Sequence, residues 1–184
     1  MGRLAAGGRA PLTVRPVVVM GVCGSGKSTV GAALARQLNA TFLEGDQFHP
    51  PANVARMAAG TALTDADRQG WLRALSDQLG AAQREGRAVV LSCSALRRSY
   101  RDTLRSQAPD LALIYLAGTP EVLAQRMAGR KGHYMPPSLL ASQLATLEPP
   151  RADEHALTLD IAQPPQRLVQ DALAWLQRGD PDVA

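Results

Sequence analysis

The chain has 184 residues, of which 46% are hydrophobic and 20% charged, and this balance predicts one globular domain with a buried core. Sixteen glycines and thirteen prolines exclude collagen-like and low-complexity architectures, and no apolar run approaches the roughly 20 residues that cross a bilayer. The net charge is +4, but three basic residues and no acids lie in residues 1–15, so we expect no basic face for nucleic acid on the folded body. The N-terminal segment lacks the pattern of a signal peptide, and two cysteines are too few for a disulfide framework. Both observations predict a cytoplasmic protein without a membrane partner.

Taken in chain order, residues 1–15 are interpreted as a flexible leader, residues 16–178 as one α/β domain, and residues 179–184 as a tail. Five short apolar runs are typical of strands buried on both faces. They lie at 17–20, 41–43, 88–93, 111–116 and 156–161. Helical patterns between them indicate a parallel sheet covered on both sides, and we expect the strand order 2-3-1-4-5.

Helix signals accompany these strands. A helix follows the first strand through Val30 and Leu38, and His49-Pro50-Pro51 is interpreted as a break after the second strand. Thr64, with an acid three residues later, is a capping-box pattern that predicts a long helix ending near Gly86. Thr119 before a proline predicts another helix start, and residues 166–177 predict a closing helix.

The strongest motif follows the first strand. It matches G-x-x-x-x-G-K-[ST] between a strand and a helix, which is the context that confirms a phosphate-binding loop. Its residues are Gly21, Val22, Cys23, Gly24, Ser25, Gly26, Lys27 and Ser28, with Thr29 next. In such loops the backbone N–H groups cradle phosphates, the lysine reaches the β- and γ-phosphates, and the Ser hydroxyl ligates Mg²⁺. We therefore expect a bound nucleotide and Mg²⁺.

Two carboxylates, Glu44 and Asp46, end the second strand two residues apart, which places both on one side of an extended segment near the loop. One carboxylate would hold a Mg²⁺-bound water while the other accepts a proton from an attacking hydroxyl. The alternative is solvation of a loop, with Asp46 as a cap. The third strand ends at 91–94 without an acid, so metal binding would rest directly on Ser28 and through water on Glu44.

Several arginines are candidates for an anionic ligand. Arg68 begins an otherwise apolar helix stripe, so it needs either an anionic substrate or a salt bridge to a neighbour such as Asp65. Arg97, Arg98 and Arg101 follow the third strand, where one or two of them would face a substrate and the rest would be solvated.

A second basic group, Arg126 and Arg130, is spaced four apart beside Gly132. This favours a lid at about 126–150 that closes over the transferring phosphate, and the alternative is a surface basic face.

Four further residues attract attention through their chemistry. Trp71 and Trp175 lie on predicted helices and are interpreted as core residues. Cys23 and Cys93 end neighbouring strands, and a redox role for them stays open.

Six segments together resemble the small P-loop gluconokinases, over about residues 16–178. They are 21–29, 42–50, 63–68, 93–102, 130–137 and 142–149. The resemblance implies a fold of the nucleoside monophosphate kinase type and a homodimer. It also implies the use of ATP to phosphorylate D-gluconate to 6-phospho-D-gluconate.

The same resemblance implies residue roles. Lys27, Asp46 and Arg130 would be catalytic, and Arg126 and Arg130 would bind nucleotide with the loop. The implied substrate-binding residues are Asp46, His49, Arg68, Arg97, Arg101 and His133. Two other functions remain open at this point: a kinase for another small molecule or nucleotide, and a non-catalytic P-loop regulatory module.

Overall fold

The computed structural model describes residues 15–129 and 137–178, and a five-stranded sheet lies at its centre. All pairings between neighbouring strands are parallel, and the order β2-β3-β1-β4-β5 confirms the prediction. The strands are β1 Val17–Met20, β2 Thr41–Glu44, β3 Val89–Ser92, β4 Ala112–Ala117 and β5 Ala156–Asp160.

Seven helices lie in the described residues. They are α1 Lys27–Leu38, α2 Pro51–Ala58, α3 Asp65–Arg84, α4 Arg98–Arg105, α5 Pro120–Ala128, α6 Pro137–Thr146 and α7 Pro165–Arg178. Two short 3₁₀ helices lie at Gly45–Phe48 and Ala152–Glu154. None of the helices in the described residues has the length and apolar character needed to cross a bilayer.

Each face of the sheet carries its own core. Val17 and Val19 of β1 pack in a cluster with residues of α1 and α7, whereas Val18 and Met20 pack with residues of α3 and α4. All four side chains are at most 2% exposed. Successive residues of a strand point to opposite faces, so a continuously apolar strand fits a sheet that is covered on both sides.

Two predicted helix starts are confirmed by their caps. Thr64 Oγ1 accepts a hydrogen bond from the Asp67 N–H at 3.2 Å, and the Asp67 carboxylate accepts one from the Thr64 N–H at 2.8 Å. The Thr119 side chain caps α5 by accepting from the Val122 N–H. These bonds satisfy donors that the first turn of a helix leaves unpaired.

The sequence patterns do not predict α2, α4 or α6. Pro51, interpreted as part of a break, occupies the first turn of α2, where a missing N–H costs no hydrogen bond. Helix α4 is mostly polar and buries one narrow face through residues such as Tyr100 and Leu104. The predicted leader, except Arg15, and the predicted tail lie outside the described residues.

Candidate active site

The glycine-rich loop turns directly from β1 into α1. Gly26 caps the helix with φ +93°, and Gly24 has φ +80°, so both adopt the left-handed region that favours glycine. A Cβ on Gly24 would also lie 2.9 Å from the Met127 side chain. The two glycines therefore allow a loop that presents N–H groups at the positive end of α1, where anions bind.

Lys27 lies within this loop, at the first position of α1. Its Nζ donates a hydrogen bond to the Val22 carbonyl at 3.0 Å. Burial lowers the pKa of Lys27, and the nearby carboxylate of Asp46 opposes that shift. The ammonium group therefore lies close to the loop and to an acid of the 3₁₀ helix that follows β2.

One pocket combines the loop with the carboxyl end of β2. The titratable and metal-binding side chains that line it include Lys27, Ser28, Glu44, Asp46, His49 and Arg68. The carboxyl ends of parallel strands are where ligands bind in open α/β sheets. The structure thus brings together the loop, both predicted carboxylates and the predicted arginine of α3.

The register of β2 accounts for the acid that is missing at the end of β3. Glu44 lies beside Ser92 in the parallel ladder. A carboxylate on the neighbouring strand therefore occupies the edge of the sheet that β3 leaves without one. The metal role through water that the sequence analysis gives Glu44 stays a prediction.

Trp71 of α3 supports the segment that carries Asp46 and His49. Its side chain is 1% exposed, and its Nε1–H donates to the Gly45 carbonyl at 2.7 Å. Its ring also stacks on His49, with ring centroids 4.1 Å apart and planes 16° apart. The sequence predicts only a core position for Trp71. A buried indole N–H needs a hydrogen-bond partner, and that need is the signal that points to a supporting role.

The backbone at Gly45 passes very close to β3. A Cβ there would lie 2.4 Å from the Ser92 carbonyl oxygen, so only glycine fits this approach. His49, at 8% exposed, follows the 3₁₀ helix that begins at Gly45. Burial lowers the pKa of His49; Asp46 opposes the shift and Arg68 adds to it. A neutral imidazole is therefore favoured beside the pocket.

Arg68 keeps most of its donors available. Its Nη2 donates weakly to the Leu63 carbonyl at 3.4 Å, and its guanidinium carbon lies 5.8 Å from the centre of the Tyr100 ring. Its buried Nε has no hydrogen-bond partner within residues 15–129 and 137–178. Asp65 instead accepts from the Tyr100 hydroxyl and pairs with Arg97 at 3.5 Å. The alternative salt bridge from Arg68 to Asp65 is therefore not formed.

Known proteins are similar to this chain in sequence and in fold. A protein-family model described as an AAA domain matches residues 17–150. The chain is 44% identical to the thermoresistant gluconokinase of Escherichia coli (strain K12) over 163 residues, which cover 88% of this chain and 93% of that protein. The chain belongs to the gluconokinase family.

Two further comparisons agree. The gluconokinase of Gluconobacter oxydans (strain 621H) is 44% identical over 169 residues, covering 92% of this chain and 95% of that protein. The crystal structure of a gluconokinase from Sinorhizobium meliloti 1021 is 50% identical with a TM-score of 0.83, covering 90% of this chain and 93% of that one. The resemblance to gluconokinases and the P-loop kinase fold are confirmed.

In this member of the gluconokinase family, the structure corrects one expected substrate residue. Arg101 is 1% exposed and forms a buried ion pair with Glu154 at 2.5 Å, and its Nη1 donates to the carbonyls of Ala95 and Glu148 at 3.0 Å. These bonds hold the guanidinium group of Arg101 inside the core. The prediction that Arg101 binds substrate is wrong because its position on α4 faces inward.

Arg97 and Arg98 lie at the start of α4. Arg97 pairs with Asp65 and is not among the residues that line the pocket, and Arg98 pairs with the exposed Asp153 at 2.8 Å. These ion pairs connect the start of α4 to α3 and to the 3₁₀ helix at Ala152–Glu154.

The Arg101–Glu154 pair predicts a pH-dependent contribution to stability. Burial of Glu154 opposes its ionisation, but hydrogen bonds from Arg101, the Arg151 N–H and Arg105 outweigh burial and lower its pKa to about 2. A depressed carboxyl pKa stabilises the fold above the pKa of the unfolded state, about 4.3, and this contribution is lost as the pH falls towards 2.

We expect Glu154→Gln to lower the free energy of unfolding at pH 7 by about 3–5 kcal/mol, because Arg101 is left buried without its anion. Urea denaturation should show the gap to the unsubstituted protein closing as the pH falls from about 4.3 towards 2. Asp153→Asn is the matched control, since its exposed pair should matter little. A gap that is constant across this pH range would contradict the ion-pair interpretation.

Arg126 lies beside the loop. Its Nη2 donates to the Ile161 carbonyl, and its Nη1 would lie 3.6 Å from a Cβ on Gly26. Thr29 is exposed on α1 beside the start of α7. Two other predicted site residues, Arg130 and His133, lie outside the described residues.

Both cysteines are buried. Burial raises the pKa of Cys93 to about 12, and Cys23 Sγ lies 3.5 Å from the sulfur of Met127. A thiol that stays protonated is a poor nucleophile, so the Cys93 environment does not favour redox chemistry.

Proposed function

We propose that the chain transfers the γ-phosphoryl group of ATP to a hydroxyl of D-gluconate, giving ADP and 6-phospho-D-gluconate. The observation that carries this proposal is the single pocket shared by Lys27, the carboxylates Glu44 and Asp46, and Arg68. In this pocket Lys27 is a cation that can bind phosphate, and a carboxylate can take a proton. Arg68 is a second cation, which can pair with an anionic substrate. The relatives at 44% identity are named gluconokinases, which supports gluconate as that acceptor.

The proposed step is an in-line displacement. The acceptor oxygen bonds to the γ-phosphorus as the bond from that phosphorus to the bridging oxygen breaks, and ADP keeps that electron pair. Asp46 hydrogen-bonds the acceptor hydroxyl and takes its proton. Lys27 and the loop N–H groups stabilise charge on the phosphates. Positioning and electrostatics carry most of this chemistry, so preorganised residues matter more than a strong base.

Mg²⁺ fits the donor set of the pocket. The Ser28 hydroxyl and the Glu44 carboxylate line it, and within the described residues no three acids, histidines or cysteines cluster as a metal centre of their own. That set suits an ion held chiefly by phosphate and water oxygens, with Ser28 as a direct ligand and Glu44 acting through water. The ion would neutralise phosphate charge.

Arg68 is the proposed partner of the gluconate carboxylate. Arg68→Met should raise the KM for gluconate by roughly 30-fold or more and change the KM for ATP little, because a substrate carboxylate loses its charged donor. Steady-state kinetics with each substrate varied in turn measure both constants. Arg73→Met, an exposed arginine on the same helix, is the control. Equal rises in the KM for gluconate and for ATP would instead indicate that Arg68 supports the fold.

An ADP-release assay tests the function as a whole. Gluconate, shikimate and nucleoside monophosphates are offered as acceptors, and we expect release only with gluconate. Release with another acceptor would favour a different kinase. ATP binding without release by any acceptor would favour a regulatory P-loop module.

The remaining proposals concern the surroundings of the site. His49 and His133 would contact gluconate, Arg97 would lie nearby, and Arg126 and Arg130 would meet the phosphates from a lid at about 126–150, whose α6 portion already contacts the loop through Gln143. We also propose a homodimer in the cytoplasm, without nucleic-acid or membrane partners. Sedimentation of the purified chain tests the dimer.

A further inference from the structure

A side chain from α6 reaches the phosphate-binding loop. Gln143 lies 120 residues along the chain from Cys23, and its Oε1 accepts a hydrogen bond from the Cys23 N–H at 2.7 Å. The same side chain lines the pocket that holds Lys27 and Asp46. A peptide N–H only donates, so the bond fixes which end of the carboxamide faces the loop.

The other end of the carboxamide is a donor that has no hydrogen-bond partner among the described residues. Across residues 15–129 and 137–178, Gln143 Nε2 forms no hydrogen bond, although it carries two N–H groups. These groups belong to a residue that lines the pocket, beside the loop that binds phosphate. They add neutral hydrogen-bond donors to a pocket whose charged donors are Lys27 and Arg68.

Helix α6 is anchored just beyond its end, which limits how far Gln143 can shift. The Glu148 N–H donates to the Leu96 carbonyl at 2.8 Å, and the Glu148 carbonyl accepts from Arg101 at 3.0 Å. Gln143 is therefore held by the Cys23 N–H at its side chain and by this anchor at its helix. Donors that are fixed before reaction stabilise developing charge without a reorganisation cost.

We propose that Gln143 is a catalytic residue of the phosphoryl transfer: the Cys23 N–H orients its carboxamide, and Nε2 donates to an oxygen of the transferring phosphoryl group. This inference rests on the proposed kinase function. Charge on the three equatorial oxygens of that group needs donors in the transition state. Within the pocket, the loop N–H groups, Lys27 and Gln143 would supply such donors, beside the proposed Arg126 and Arg130.

Two substitutions separate the roles of the two ends of the carboxamide. Gln143→Ala removes both, whereas Gln143→Glu keeps an oxygen for the Cys23 N–H and replaces the donor by an anionic oxygen. Loss of one preorganised donor costs about 10²–10³ in kcat, so we expect that loss for Gln143→Ala and a larger one for Gln143→Glu, with the KM for gluconate little changed. Ser138→Ala, an exposed change on the same helix, is the control.

An NMR readout verifies the bond independently of activity. The chain has two cysteines, so ¹⁵N-cysteine labelling gives two backbone amide signals. The Cys93 N–H donates to the Val19 carbonyl at 3.1 Å and serves as the internal reference. The Cys23 signal should stay near its position in Gln143→Glu and move upfield in Gln143→Ala, because only alanine removes the acceptor.

The outcomes separate a donor from a structural contact. An active Gln143→Glu enzyme beside an impaired Gln143→Ala enzyme would mean that only the bond to Cys23 matters, and this would overturn the proposal. An equal loss of kcat in Gln143→Ala and Gln143→Glu, or no loss in either variant, would also overturn the proposal. A wild-type chain that releases no ADP with gluconate would overturn the proposed function, and the donor role would fall with it.

Discussion

Replacing Lys27 with alanine should remove nearly all turnover while the fold survives. The side chain belongs to the loop, its Nζ donates to the Val22 carbonyl, and it is part of neither core, so its loss opens no core cavity. It does remove the ammonium that would meet the β- and γ-phosphates, and loss of such charge stabilisation costs about 10²–10³ in kcat or more. ADP release with gluconate measures the loss, and thermal unfolding measures the fold.

Arg36→Ala is the matched control for Lys27→Ala, because it removes an exposed cation from the same helix. It should leave both activity and stability close to those of the unsubstituted protein. If Lys27→Ala kept near wild-type activity and unchanged thermal stability, the result would contradict a phosphate-binding role for the loop.

Asp46→Asn should lower kcat by about 10²–10⁴, the usual value of general-base help, because Asn keeps the size of the side chain and loses its basicity. Asp46 lines the pocket near the Lys27 ammonium, where the acceptor hydroxyl must align with the leaving oxygen. Steady-state kinetics with gluconate and ATP varied separately measure the effect.

Glu44→Gln is the comparison for Asp46→Asn. If Glu44 only orients a metal-bound water, this change costs less, and added Mg²⁺ partly restores activity. A small change in kcat with a large rise in the KM for gluconate would keep Asp46 as a binding residue and remove it as a base. No change in either constant would mean that the acceptor lies elsewhere.

Much of the fold could be predicted because its signals are local. Continuous apolar runs identified the strands, and the caps at Thr64 and Thr119 identified two helix starts. Helix α2 was missed because prolines that end one element also begin the next, and only the hydrogen bonds distinguish the two. Helix α4 was missed because its buried face is too narrow to dominate a polar sequence.

The site was predictable where a motif fixes backbone geometry, as in the loop before Lys27, and where strand ends converge, as at Asp46. It was not predictable where long-range packing decides. Arg101 and Arg97 look alike in sequence, yet α4 turns Arg101 into the core and onto Glu154. The contact of Gln143 with the loop joins residues 120 positions apart, which no local pattern records.

The indole of Trp71 touches both the peptide before Asp46 and the ring of His49, so these two groups share one rigid support. Other residues of the same pocket, Met57 and Leu63, come from the segment around α2 rather than from the segment that Trp71 contacts. Under the proposed function, a substitution around α2 would therefore change one wall of the pocket while the contacts of the indole with Gly45 and His49 stay in place.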